Sequence, residues 1–419
     1  MTCPAQRCAI RRLTVIAVLI GFAISPVTHA QTITVLHSFT NNADGSNPTA
    51  GMIMDRAGNL YGTTSGVEMA VTSAAFELKA AGSGWLLKPL YDFTYDNRYV
   101  YGYALYTKPV FGPDGALYVA AQVGGNDACP AGCGTVVKLQ PQARACGSVL
   151  CPWNVTVLYA FSGPADGIFP DQIIFGPDGS IYGTTLWGGS GGGCGGNGCG
   201  TVYKLTNTGG QYWTKTTLYE FHDTDGNYPI GGVTFDAAGN LYGTAIGGGN
   251  NDMGLVYELT PVANGFWTQT ILHAFQRSDG DAPVGPLTKD ASGNLYGVTK
   301  GGGANMGGTV FEVSPPGTFQ TLYNLSINFF GGGANGGLLL DSAGNIYGTT
   351  LAGGINGDGI VFKLALVNGA WTFTDLHDFD IFDGQYPNGG LVFDTSGSIY
   401  GTAGYGGSIG RGTAWKLTP

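Results

Sequence analysis

The chain has 419 residues, 74 of them glycine, and only 11% are charged. Three of its 18 Lys+Arg fall in the first 30 residues, which hold no acid, so the remainder carries 15 basic and 28 acidic groups, net −13. That sign excludes duplex nucleic acid and anionic membrane as natural partners, because both bind through positive charge.

Residues 1–30 read as a signal peptide. Arg7, Arg11 and Arg12 supply a positive start, and residues 13–24 form an apolar run shorter than the roughly 20 residues that span a bilayer. Thr28-His29-Ala30 places a small residue before Gln31. Cys3 and Cys8 precede the apolar run, too early for a lipid at the cleavage point, and no apolar tail follows Leu417. The expected product is residues 31–419, one domain without a membrane span, secreted or periplasmic, and monomeric.

From residue 32 onward the chain repeats. A Gly-(Asn/Ser/Ala)-(Leu/Ile)-Tyr core places tyrosines at 61, 118, 182, 242, 296, 347 and 400, spaced by 51 to 64 residues. One unit reads Gly232-Val233-Thr234-Phe235-Asp236 as a strand, Ala237-Ala238-Gly239-Asn240 as a turn, and Leu241-Tyr242-Gly243-Thr244-Ala245 as the return. A glycine-rich loop over 247–254 leads to a third strand over 255–259, and a fourth follows over 267–275. No helical pattern of useful length occurs after residue 30. Four short antiparallel strands, seven times, predict an all-β, seven-bladed β-propeller. The last unit stops one strand short. Thr34-Val35-Leu36-His37-Ser38-Phe39 matches the internal fourth strand Thr270-Ile271-Leu272-His273-Ala274-Phe275, so the N-terminal segment is predicted to complete the last blade. The second unit, 92–139, is the most divergent, with a tyrosine-rich connection over 95–108.

Most shared residues read as scaffold. Asp55, Asp236, Asp290, Asp341 and Asp394 each precede a turn glycine by three residues and suit backbone N–H groups in that turn. Gly112 and Gly176 replace them in two units, where Pro-Asp-Gly remakes the turn. His37, His273 and His377 share one position with Tyr91, Tyr159, Tyr219 and Tyr323, which fits a packed aromatic with a polar edge. The Gly-Gly pairs join strands and do not open helices, so they read as turns and not as phosphate cradles. No Ser-His-Asp order, H-E-x-x-H or P-loop is recognisable. Six cysteines follow the leader in three close pairs: Cys129 with Cys133, Cys146 with Cys151, and Cys194 with Cys199. They suggest three local disulfides in an oxidising compartment, with a metal site as the competing reading for the first and last pairs.

Function is read from one face. Asp-Gly-x-x-Pro connections at Asp44, Asp166, Asp225, Asp279 and Asp383 gather carboxylates there; Asp-Gly is a turn former, and the alternative is calcium or a polar ligand held by these residues. At a position that is Gly247, Gly301 or Ala352 elsewhere, two units carry Trp187 and Tyr405, aromatics suited to stacking on a sugar or to packing over their own loops.

The run Gly231-Gly232-Val233-Thr234-Phe235-Asp236 through Gly239-Asn240-Leu241-Tyr242-Gly243-Thr244 resembles the tandem repeat of bacterial GloVer-containing proteins of the "choice-of-anchor" group, across nearly all of residues 34–417. The resemblance implies a secreted or surface protein of bacteria and supplies no catalytic residue. The chain departs from that group by ending inside its last repeat. Three functions are therefore expected in competition: binding of carbohydrate or another polar extracellular ligand, a structural or protein-docking role, and a calcium-assisted hydrolase or lyase.

Overall fold

In the computed structural model, residues 31–66, 73–93, 101–126, 128–142, 152–190, 194–209, 213–326, 333–334 and 336–418 are described. The leader lies outside them. No helix among the described residues is long and apolar enough to cross a membrane.

Two of the three expected disulfides are closed, Cys129 with Cys133 and Cys194 with Cys199. Both Cys146 and Cys151 lie outside the described residues, so the expected pairing of Cys151 with Cys146 stays an expectation from spacing.

Seven antiparallel sheets form a seven-bladed propeller, six of them with their strands hydrogen-bonded in sequence order and the seventh completed by the first strand of the chain. The fourth blade comprises Asn227–Phe235, Leu241–Gly247, Leu255–Pro261 and Trp267–Ala274. The ring closes as the sequence predicts: Thr32–Ser38 pairs antiparallel with Thr413–Thr418 as the outer strand of the last blade.

The repeated Tyr-Gly-Thr has a packing cause. In the fourth blade Gly243 stands directly opposite Tyr257, and a methyl group on Gly243 would lie 2.4 Å from the Tyr257 hydroxyl. The same opposition pairs Gly62 with Phe76, Gly183 with Tyr203, Gly297 with Phe311, Gly348 with Phe362 and Gly401 with Trp415. Only the second blade departs, where Val119 faces Val137 and two medium side chains replace small-plus-large. Volume is conserved across the pair, as close packing demands.

Those large third-strand rings bind the blades together. Phe39, Phe161, Phe221, Phe275 and Phe379 follow the outer strands, and each meets an aromatic of the next blade: Phe76, Tyr203, Tyr257, Phe311 and Trp415, with centroids 5.0 to 5.3 Å apart. Contacts of this kind each contribute on the order of 0.5–1.5 kcal/mol beyond the area buried. The repeat tyrosines make a second seam: Tyr118 packs edge-on against Phe175, and Tyr182 against Phe235.

The tyrosine hydroxyls are anchored at the inner turns. Tyr61, Tyr242, Tyr296, Tyr347 and Tyr400 donate to Asp55, Asp236, Asp290, Asp341 and Asp394, whose other oxygens accept backbone N–H bonds. In the two blades that have glycine there, Asp114 and Asp178 receive the hydroxyls of Tyr118 and Tyr182 and pair with Lys138 and Lys204 at 2.7 Å. The turn is remade with the carboxylate moved two residues along.

Candidate functional site: the mouth of the central channel

The Asp-Gly-x-x-Pro carboxylates are held by their own connections. Asp44 accepts from the Thr40 amide and hydroxyl and lies 3.0 Å from Nε2 of His37. Asp166 accepts from Tyr159 and Ser162 and pairs with Lys215 at 3.2 Å. Asp225 accepts from Tyr219 and the His222 amide; Asp383 sits 2.8 Å from His377 and accepts the Asp380 amide. Asp279 accepts the Gln276 amide and lies 3.3 Å from His273. The histidine-or-tyrosine position of the outer strand is thus the partner of this aspartate, a link invisible in either motif alone. The five carboxylates belong to five connections, and among the described residues no three His, Cys, Asp or Glu are grouped to hold a metal ion. Each of the five carboxylates accepts hydrogen bonds from N–H or O–H groups of its own connection.

The rest of that motif latches blade to blade. The residue before the proline has positive φ in all five: Asn47, Phe169, Tyr228, Ala282 and Tyr386, between 52° and 59°. Side chains rarely adopt this conformation. Each amide there donates across the blade boundary, to the carbonyls of Arg411, Cys133, Cys199, Met253 and Asp358 at 2.9–3.0 Å. Two of these acceptors are cysteines of the closed disulfides.

Trp187 is half-buried, its ring 5.2 Å from Phe169 and 6.5 Å from Tyr228. It packs over two of the strained latch residues. Tyr405 is 42% exposed and meets Tyr386 edge-on at 5.8 Å. The two predicted aromatics therefore sit in different surroundings, and only Tyr405 presents a free face.

The residues that sequence reasoning missed are at the axis. Two residues before the partner of each repeat tyrosine, the first strands approach the channel, and five blades place Gly51, Gly232, Pro286, Gly337 and Gly390 there. Gly51 and Gly390 are close enough to form a backbone bridge, and a methyl on Gly51 would stand 2.4 Å from the Gly390 carbonyl oxygen. The remaining two blades place Lys108 and Gln172 at this position. The Gln172 carboxamide spans their backbones, accepting from the Lys108 amide at 3.2 Å and donating to its carbonyl at 3.1 Å.

Above this throat lies a cavity of about 340 Å³, lined among others by Thr49, Tyr106, Lys108, Gln122, Asp171 and Asn388. It opens beside the ends of the second strands, with Leu186 next to Trp187 in its wall. The phenol of Tyr106 is 40% exposed and pushed up by burial and by the neighbouring Tyr405 and Tyr103. Asp171 is buried; its desolvation pushes the carboxyl up against the opposing effect of the Gly231 amide, which donates to it at 2.8 Å. Lys108 is half-buried, and desolvation holds its ammonium below the usual lysine range. No carboxylate among the described residues lies within ion-pair distance of it. The hydroxyl of Thr49 is buried without a partner. The signal available in sequence was the loss of glycine at 108 and 172, which shows only once strand register is known.

Comparison with known proteins follows the fold. No curated protein matches the chain in sequence. The extracellular domain of a protein described as a hybrid two-component system from B. thetaiotaomicron superposes with a TM-score of 0.55 at 12% identity, over 92% of this chain and 39% of that one. A gluconolactonase from Xanthomonas campestris gives 0.39 at 13% identity, over 74% and 94%. A luciferin-regenerating enzyme gives 0.45 at 11%, over 93% and 95%. At such identities the likeness is one of fold. The Gloeobacter/Verrucomicrobia repeat matches residues 101–269 and 266–419, most of the chain, and the chain belongs to that repeat family.

Proposed function

We propose that this protein is a secreted propeller that binds carbohydrate, or a polar ligand of similar size, at the mouth of its central channel. The observation that carries this reading is the cavity of about 340 Å³ lined by Lys108, whose ammonium has no carboxylate within ion-pair distance among the described residues. Buried polar groups are ordinarily satisfied, so groups left open around a concave space suit a ligand that completes them. Tyr106 offers an aromatic face in the cavity wall, and Tyr405 is an exposed aromatic nearby. Secretion is supported by the arginine-led apolar leader and by two closed disulfides, which persist in oxidising compartments. The test is calorimetric titration of the mature protein with a panel of neutral and acidic mono- and oligosaccharides, with and without calcium. Binding that weakens at least tenfold in Tyr106→Ala, with the fold intact, supports the reading; no heat from any sugar sinks it.

A second reading rests on a different surface. Ile355, Ile381, Phe382 and Ile409 are 89%, 54%, 75% and 57% exposed on loops of the last two blades. Large apolar side chains this exposed suit a protein partner, and a role as a docking module needs no channel ligand.

A further inference from the structure

Lys108 is a cation of the channel mouth with no carboxylate within ion-pair distance among the described residues. It is half-buried, and a charge partly withdrawn from water normally gains a partner, because desolvation disfavours the ion. Asp171, the acid in the same cavity wall, is not within ion-pair distance, and its carboxyl faces the Gly231 amide. Lys108 also lines a second vestibule of about 380 Å³ beyond the throat, with Thr234, Thr288, Lys289 and no acidic residue. The ammonium therefore stands between two spaces and is neutralised from neither. It is not a leftover of the repeat, since five blades close the same position with glycine or proline and need no charge there.

We propose that the channel-mouth ligand is a hexuronate: a sugar whose carboxylate accepts hydrogen bonds from the Lys108 ammonium at the throat while its hydroxyls meet Gln122 and Asn388. This rests on the carbohydrate reading above and narrows it. The cavity holds about one ring, and its polar lining is hydroxyl and carboxamide apart from the two charged groups. A carboxylate also supplies what a neutral sugar cannot, a counter-charge for a desolvated ammonium. The net charge of −13 opposes a long polyanion, and that repulsion reaches about a Debye length of 8–10 Å. One carboxylate at a chain end or on a free sugar is the form selected.

The experiment compares galacturonate and glucuronate with galactose and glucose, and single residues with long polyuronate, by calorimetry on the mature protein and on Lys108→Met and Lys289→Met. The expected result is a preference of at least tenfold for the acidic monosaccharide, lost in Lys108→Met and kept in Lys289→Met. In addition, Lys108→Met should unfold at the same or higher temperature without ligand, since it removes an uncompensated ion. Equal affinity for neutral and acidic sugars leaves carbohydrate binding standing and overturns the hexuronate; silence towards every sugar overturns both. A loss of stability in Lys108→Met, or a loss of uronate binding confined to Lys289→Met, also overturns the assignment.

Discussion

Gly412, in the last blade, lies flat against the ring of Pro48, in the first. A methyl group on Gly412 would stand 2.4 Å from Cδ of Pro48, and the φ of Gly412 is +100°. The same meeting joins Gly134 to Pro170, Gly200 to Pro229, Gly254 to Pro283 and Gly359 to Pro387. At Gly412 it coincides with the seam where the first strand zips onto the last.

Gly412→Ala combines a left-handed backbone with a clash against proline, so it should destabilise the protein by on the order of 2 kcal/mol. Urea unfolding measures this. Limited proteolysis should cut the variant first near the outer strand Thr32–Ser38. A variant as stable as the parent would show that closure does not depend on this contact.

The opposed pair Gly243 and Tyr257 predicts non-additivity. Gly243→Ala should cost roughly 1–3 kcal/mol by overpacking, and Tyr257→Leu several kcal/mol by leaving a void. The double variant should lose less than the sum, because the methyl group enters space the ring has vacated. A double-mutant cycle with no coupling would refute size exchange as the reason for the repeated glycine.

Asp375 carries a pH prediction. Burial first, and then the neighbouring Asp378, push its carboxyl up to about 6, and its Oδ1 is buried without a partner. A folded-state pKa raised above the unfolded value, about 3.9, means the unfolded chain releases the proton more readily. Asp375 therefore opposes folding at neutral pH and ceases to do so as pH falls from about 6 to about 4. Asp375→Asn should be more stable than the parent at pH 7, with the difference shrinking through that window. Chemical denaturation at pH 4, 5, 6 and 7 reads the trend, and a constant difference would contradict it.

Trp187 and Tyr405 should separate in mutagenesis. Trp187→Ala removes a half-buried ring packed on Phe169 and Tyr228 and should lose on the order of 2 kcal/mol of stability. Tyr405→Ala, at an exposed rim, should stay within about 0.5 kcal/mol of the parent and reveal itself only in sugar binding. Equal stability losses would mean that both rings are packing elements.

The strands, the seven blades and the strand swap at closure were legible because each follows from local rules. The Gly-(Asn/Ser/Ala)-(Leu/Ile)-Tyr core, with short strand runs bounded by turn residues, recurs every 51 to 64 residues, and repetition averages out the divergent copies. The candidate site was less so. The aspartates of Asp-Gly-x-x-Pro looked like a shared acidic face, yet each is satisfied within its own connection. Lys108 lay in the unit whose pattern was weakest, where register could not be counted by eye.

What the sequence determined by itself was the architecture, since every repeat states the same packing problem and a closed ring buries the faces that one blade cannot. Only the tertiary structure decided where chemistry can happen. Lys108 and Gln172 are 64 residues apart, and neither belongs to a local motif; radial packing brings their strands to one axis, where glycine elsewhere leaves room and one ammonium is left without a counter-charge.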